Sequence, residues 1–258
     1  CANSSARAPS VTDPMPPGPL PFEILLHDDH LLVVNKPAGI AVEGERTPGV
    51  RTLRQLLQEK LGYLPRLVHN LDKGTSGVVL FARTLEAQRS LCHAFFLRRV
   101  RKVYQAVVIG VPPRDEDLID LPLAEDPLRQ ERMITDRHGK PSQTRFRILE
   151  KFSGYSLLEL MPITGRTHQI RVHLAAVGHP LAVDPYYGET EGVFLSSLKS
   201  GYKFKAGVKE RPLIDRLTLH AFSATFRHPF SKQEVTFSCP LPDDFNLLLD
   251  KLRKYKRC

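Results

Sequence analysis

The sequence predicts an α+β fold with a mixed, mainly antiparallel central sheet flanked by helices and loops. Three observations lead there. Short β-type runs are interleaved with amphipathic segments of helical spacing, without the strict β-α-β alternation of a parallel sheet. The 258 residues suit one large domain, or one domain with a small appendage. With 41% apolar and 25% charged residues and no low-complexity block, a packed core is expected rather than wholesale disorder.

Taken in order, residues 1–21 are rich in Pro, Ser and Ala and read as a disordered lead. From Phe22 the text FEILLHDDHLLVVNKPAGIAV holds two β-type runs around Asp28 and Asp29, closed by Pro37 and Gly39, an opening hairpin. Residues 51–61 place Leu53, Leu56, Leu57 and Leu61 on one helical face, and Gly62 stops them. A polar loop, LVHNLDKGTSG, then feeds the apolar strand Val78 to Ala82. A second amphipathic helix over 84–98 ends in Arg98, Arg99, Arg101 and Lys102, and a strand over 103–109 follows. Residues 111–142, rich in Pro and charge, read as loop and edge structure. TRFRILEKF and YSLLELMP alternate as an antiparallel pair, and 164–177 has helix spacing at Ile170 and Leu174 before Gly178. Strand signals return at 217–226 and 234–238, and Asp243 starts a terminal helix.

Charge and cysteine usage narrow the partners. Lys plus Arg number 37 against 28 Asp plus Glu, a formal balance of +9 that puts polyanions first. No stretch approaches the roughly 18 to 20 consecutive apolar residues of a membrane span, so a soluble protein with no membrane association is expected. The cysteines at 1, 92, 239 and 258 form neither a C-x-x-C pair nor a disulfide framework. An intracellular, cytoplasmic location follows, and because numbering starts at Cys1, a truncated mitochondrial or plastid presequence is the alternative.

Two polar segments embed ionisable residues in apolar frames. In His69-Asn70-Leu71-Asp72-Lys73-Gly74-Thr75-Ser76-Gly77 a single aspartate between Leu71 and the glycine turn reads as a nucleophile or base in a half-buried loop, or as a turn or N-cap residue. In Thr164-Gly165-Arg166-Thr167-His168-Gln169-Ile170-Arg171-Val172-His173 one helical face carries His168 and Arg171 and aims a guanidinium at a carboxylate, or is a solvated basic face. The phosphate-loop order G-x-x-x-x-G-K-[ST] and a helix-opening G-x-G-x-x-G are absent. Ser196 to Lys199 matches S-x-x-K without the S-D-N and K-T-G that would accompany it. The histidines lack Cys partners and H-E-x-x-H spacing, so no metal is expected, and the missing G-x-G-x-x-G removes a dinucleotide cofactor.

The segment LVHNLDKGTSGVVLFAR resembles the catalytic motif of the RluA-type pseudouridine synthases, H-R-L-D-x-x-T-S-G followed by an apolar strand. VVNKPAGI, RKVYQAVV, LMPITGRTHQIRVHLAAVGHPLAVDPYYG and RLTLHAF match in the same order, so the resemblance covers about Phe22 to Leu252. It implies the pseudouridine synthase fold over 22–258; many members carry an S4-type RNA-binding domain at the N-terminus, for which the 21 residues before Phe22 are too short, and a monomer is expected. It also implies a metal-free, cofactor-free isomerisation of uridine in ribosomal or transfer RNA: the C1′–N1 bond breaks, the held uracil rotates, and C5 bonds to C1′. Asp72 takes the position of the catalytic aspartate, as nucleophile or as base on the ribose. Tyr104 corresponds to the tyrosine that stacks on the target base, and Arg171 to the arginine that pairs with the aspartate. The substrate-facing set is completed by His69, Asn70 and Thr75, by Lys102, and by Arg166, His168 and Gln169. A catalytically silent RNA-binding or ribosome-assembly factor on the same fold is the alternative.

Asn70 departs from the family pattern, where an arginine two residues before the aspartate is credited with entering the space left by the flipped nucleotide. Asparagine is shorter and uncharged, which implies a loop or single-stranded uridine or a larger ribonucleoprotein context. The remaining cations fall in three groups: the cluster before Tyr104, the stretch 188–219 with Lys199, Lys203, Lys205, Lys209 and Arg211, and the basic tail 251–258. Each reads as an RNA contact or as a solvated surface.

Overall fold

Residues 22–45, 47–188, 192–203 and 207–257 are described by the computed structural model. The expected lead over 1–21 lies outside the described residues, as do Lys205 and Cys258. Strands β1 (Glu23–His27) and β2 (Leu31–Lys36) form the opening hairpin. Its turn is made by the Asp28 carboxylate, which accepts the backbone N–H groups of His30 at 2.8 Å and Leu31 at 2.7 Å. Helix α1 (Leu53–Leu61) starts in a capping box between Thr52 and Gln55 and stops at Gly62 in the left-handed region, φ 75°. Strand β3 (Arg66–Leu67), too short to signal itself in the sequence, pairs with β4 (Ser76–Ala82). Helix α2 (Leu85–Phe96) is capped by Thr84 and leads into β5 (Arg101–Ile109).

The charged segment after β5 supplies an edge strand, β6 (Glu116–Asp120), and a separate two-stranded ribbon, β7 (Leu123–Glu125) with β8 (Met133–Thr135). Strands β9 (Gln143–Phe152) and β10 (Tyr155–Pro162) pair antiparallel as their alternation predicts. Helix α3 (Gln169–Ala176) begins later than its apolar spacing suggests. The Gln169 side chain accepts from Thr164 Oγ1 at 2.7 Å and the Arg166 N–H at 3.0 Å, folding 164–168 back as a loop on the helix start. A short α4 (Leu195–Leu198), β11 (Leu219–Arg227), β12 (Glu234–Ser238) and α5 (Asp243–Tyr255) complete the chain.

The sheet runs β1-β2-β4-β11-β5-β10-β9-β6, with β3 also on β4 and β12 also on β11. Its pairs are antiparallel except β4 with β11, which run parallel over Ser76↔His220 and Gly77↔Ala221. Gly77 makes that approach possible. Its φ is +114°, and a Cβ there would lie 2.2 Å from the carbonyl oxygen of Ala221. Strands β2 and β4 are covered on both faces, which explains their continuous apolar runs. Leu32, Val34, Val79 and Phe81 pack with Leu53 and Leu57 of α1, whereas Val33, Val78 and Leu80 pack with Ala87 and Leu91 of α2. At the other end Val107 and Leu157 meet Phe245, Leu248 and Leu252 of α5, while Ala106, Val108 and Leu158 meet Ile170 and Leu174 of α3. Tyr104 packs against both the α1 and the α3 clusters and so lies where they meet.

The cations of the C-terminus are partly used in holding α5. Its first turn carries Asp243 and Asp244 and its last Arg253 and Lys254, the order that the helix dipole favours. Arg253 pairs with Glu150 of β9, and Asp244 takes both arms of Arg216 at 2.6 Å. Among the described residues no helix is long and apolar enough to cross a membrane.

One buried and one half-buried histidine tie the sheet together as neutral rings. His220 is fully buried, with Nδ1 2.9 Å from the Ser76 hydroxyl and Nε2 3.2 Å from the carbonyl of Cys239. His69 Nε2 accepts the Leu80 N–H at 3.0 Å. Burial pushes both down to about 4. Because the unfolded rings take up protons near pH 6.5 while the folded rings do not, their contribution is complete above pH 6.5 and lost as pH falls toward 4. Chemical denaturation at pH 6.5 and pH 5 should therefore show a decline of up to about 2 kcal/mol per ring. Equal stabilities would mean that the rings are charged in the fold.

Candidate active site

The loop between β3 and β4 is held from three sides. The Thr75 N–H donates to the Asp72 carbonyl at 3.0 Å, which makes 72–75 a tight turn, and Leu71 is anchored in the α1 core. The Lys73 carbonyl accepts from the Gly39 N–H at 2.8 Å and from Lys36 Nζ at 3.2 Å. Lys36 has no solvent exposure and also donates to Pro37 and Ile40 carbonyls at 3.0 and 2.8 Å, stapling the VVNKPAGI segment beneath the loop. Burial pulls its ammonium down to about 7, against the opposing attraction of the Asp72 carboxylate.

Arg171 projects from α3 toward that loop at 3% exposure. Its Nε and Nη2 donate to the two oxygens of Asp184 at 2.7 Å each, and its Nη1 donates to Asp72 Oδ2 at 3.1 Å. Asp184 is 1% exposed, and its Oδ1 also accepts the backbone N–H groups of Tyr186 and Tyr187. The guanidinium lies 5.3 Å from the Tyr186 ring centroid and 5.1 Å from that of Tyr187. One cation between two carboxylates leaves a net negative charge, carried on the partly exposed member, Asp72. The paired carboxylates also raise the Arg171 pKa above its ordinary value, against burial, the largest influence on it.

Asp72 opens into a cavity of about 410 Å³, within the usual size of small-molecule sites. His69, Asn70, Asp72, Thr75, Lys102, Tyr104, Arg166, His168, Gln169 and Arg171, the residues the sequence singled out, all line it. Their employment differs. Gln169 has both amide hydrogens on the Gln143 carbonyl and Thr144 Oγ1 and its oxygen on Thr164 and Arg166, so it holds the loop of Arg166 in place. His69 stacks on Phe95 with centroids 4.9 Å apart. Lys102 Nζ reaches the Thr164 carbonyl at 3.4 Å, and burial lowers it to about 8. The Tyr104 phenol is pushed up, first by burial and then by the Asp72 charge, so it stays neutral. Asn70 is exposed at the rim. Among the described residues no group of three or more His, Cys, Asp and Glu side chains is placed to hold a metal ion.

The sequence reading missed Asp184, Tyr187 and Lys36. A lone Asp in LAVDPYYG gives no pattern, although an acid in such an apolar run needs a buried cation, and Arg171 is the one that aims at it.

The profile of the RNA pseudouridylate synthase family matches residues 30–176, from β2 through α3. The chain belongs to this family. Among curated members, the ribosomal large subunit pseudouridine synthase D of Nitrosomonas europaea is 40% identical over 239 residues, 91% of this chain and 66% of that protein. The D protein of Neisseria meningitidis is 38% identical over 243 residues, 92% of this chain and 63% of its own. The chain thus spans slightly less than two thirds of these relatives. The ribosomal large subunit pseudouridine synthase C of Vibrio cholerae is 36% identical over 269 residues, covering 98% of this chain and 80% of the relative. Two human structures, RNA pseudouridylate synthase domain containing 4 and 1, each superpose with a TM-score of 0.66, at 26% and 27% identity. They cover 89% and 95% of the chain and 92% and 100% of their own, so the pseudouridylate synthase fold continues past residue 176.

The two carboxylates that share Arg171 should respond differently to substitution. Asp184→Ala leaves a buried guanidinium with one partner and is expected to cost about 3 to 5 kcal/mol in thermal or chemical denaturation. Asp72→Asn keeps the Asp184 pair intact and is expected to change stability by less than about 1 kcal/mol. Equal losses for both would contradict the assignment of Asp184 as the anchor.

Proposed function

We propose that this protein isomerises uridine to pseudouridine in RNA, with ribosomal large-subunit RNA as the substrate. The observation that carries the reading is Asp72, partly exposed in the cavity and held by a buried arginine that a second carboxylate already neutralises. A reacting carboxylate must be held in a fixed orientation, and the Arg171 Nη1–H on Oδ2 supplies that. The choice of ribosomal RNA rests on the printed names of the relatives, ribosomal large subunit pseudouridine synthases D and C.

In this reading Asp72 acts on the ribose as the C1′–N1 bond breaks, either as nucleophile or as base. Both roles need one carboxylate oxygen free while the other is held by Arg171. Tyr104, uncharged and wedged between two core clusters, offers a fixed ring against which the detached uracil can turn. C5 then bonds to C1′, the C5 proton is lost, and N1 takes up a proton, so no atom is gained or lost overall. Lys102 and Arg166 at the cavity, with Arg98 and Arg99 exposed beyond it, present cations to the phosphates on either side of the flipped nucleotide. Arg101 is partly committed, since it pairs with Glu234 at 3.0 Å.

The decisive experiment is release of tritium from RNA labelled at uridine C5. Wild type should release it, and Asp72→Ala should fall by at least about 1,000-fold while still binding RNA. Silence of both proteins with intact RNA binding would point instead to a ribosome-assembly factor on the same fold.

Asn70 bears on which uridines are accepted. Flipping a paired base costs a few kcal/mol, and a short neutral side chain at the rim contributes less toward it than a guanidinium. Asn70→Arg is expected to raise the rate on duplex-embedded uridine more than on loop uridine. An identical ratio for the two substrates would remove position 70 from substrate choice.

A further inference from the structure

His168 is the last residue before α3 and adopts φ 53°, in the left-handed region that side chains other than glycine seldom enter. A strained residue lining the cavity has a use for its orientation. Its ring bridges two groups. Nε2 lies 3.9 Å from Asp72 Oδ2, and Nδ1 lies 3.0 Å from the Tyr187 hydroxyl.

The hydroxyl decides the tautomer. Tyr187 Oη already accepts the Met133 N–H at 2.8 Å. A phenol has one hydrogen to give, and here the neighbouring acceptor is His168 Nδ1, so the imidazole hydrogen is on Nε2. The other tautomer would crowd two N–H groups onto one phenol oxygen and turn a nitrogen lone pair toward the Asp72 carboxylate. Position is enforced from both sides, since the Tyr187 ring stands edge-on to the imidazole at 80° and Arg132 covers Tyr187 at 5.2 Å. The charged groups around the ring are Asp72 from the β3–β4 loop, Arg171 from α3, Asp184 from the segment after it and Glu131 from the β7–β8 turn. Burial outweighs the carboxylates among them and keeps the imidazole neutral.

We propose that His168 is a positioning residue for Asp72, with its tautomer set by Tyr187 so that Nε2–H and Arg171 Nη1–H both address Oδ2 and Oδ1 is left for the ribose. At 3.9 Å the Nε2 contact is longer than a hydrogen bond, and in the proposal it shortens when uridine fills the cavity. The proposal rests on Asp72 being the reacting carboxylate, and it explains why an imidazole occupies a backbone position so unfavourable to side chains.

Two readouts test it. In protein labelled with nitrogen-15 histidine, with His168→Gln identifying the signal, His168 should be the Nε2–H tautomer at pH 7. Tyr187→Phe should weaken that preference, and Asp72→Asn should move the Nε2–H resonance. An Nδ1–H tautomer, an imidazolium, or a resonance indifferent to Asp72→Asn overturns the proposal. In single-turnover tritium release, His168→Phe should slow the chemical step about 10- to 100-fold with RNA affinity within about twofold, His168→Gln should recover most of it, and Tyr187→Phe added to His168→Phe should cost nothing more. Wild-type rate in His168→Phe, or equal loss in Gln and Phe, overturns it as well. If His168→Phe fails to fold, the Gln and Tyr187→Phe rates and the wild-type spectrum still decide. If wild type releases no tritium, the functional reading fails by itself, and the His168–Asp72 contact is judged from the spectra.

Discussion

Arg171 is buried at 3% exposure with carboxylates on two sides, and the site is arranged around keeping that charge where it is. An isolated guanidinium in such surroundings would be prohibitively costly, so Asp184 takes two of its arms in a fork that leaves Nη1 free for one further acceptor. That acceptor is Asp72, 99 residues earlier in the chain. The arrangement divides labour between two chemically identical groups. Asp184, sealed and additionally bound by two backbone N–H groups, neutralises; Asp72, reached by solvent, keeps the surplus negative charge at the cavity.

The rest of the structure brings these three residues to one place. Helix α3 presents Arg171 because Gln169 gathers Thr164, Arg166, Gln143 and Thr144 into the loop that launches it. The Asp72 turn is fixed from below by a lysine whose three carbonyl partners replace the water it has lost. Tyr104 joins the two halves of the core, so packing beneath α1 and beneath α3 meets at the ring that lines the cavity. These contacts are short and mostly saturated, which is what a site needs in order to spend little on reorganisation when charge shifts during reaction.

Much of this was legible in the residues, for reasons that can be named. Leu53, Leu56 and Leu57 repeat at helical spacing, and the strand pair β9–β10 alternates faces, because each has one dry side. Asp72 and Arg171 stood out because polar groups framed by apolar ones must be held by something. What stayed hidden depends on tertiary context. Asp184 is one acid in an apolar run, and only the fold shows that Arg171 faces it. Lys36 reads as a surface lysine at the end of a strand, yet three carbonyls make burial tolerable there. Helix α3 starts later than its spacing suggests because the Gln169 side chain binds Thr164 and Arg166 while reaching Gln143 and Thr144 of β9, which holds 164–168 as a loop, and the β9 half of that contact is invisible in the sequence. Strands as short as β3 leave no periodicity to find.

The parallel contact of β4 with β11 has a consequence for the order in which the protein is made. Strand β4 carries the Asp72 loop at its start, and the strand completing its other side begins at Leu219, late in the chain. Until those residues emerge during synthesis, the Ser76–Gly77 end of β4 lacks its strand partner, because β3 covers only Phe81 and Ala82 on that side, and the Ser76–His220 contact that closes the sheet does not exist. Sequence separations of this size slow folding and prolong the exposure of sticky intermediates. The strand that carries the Asp72 loop therefore gains its last partner only after Leu219 has been made, and a chain cut short before β11 would be prone to aggregation.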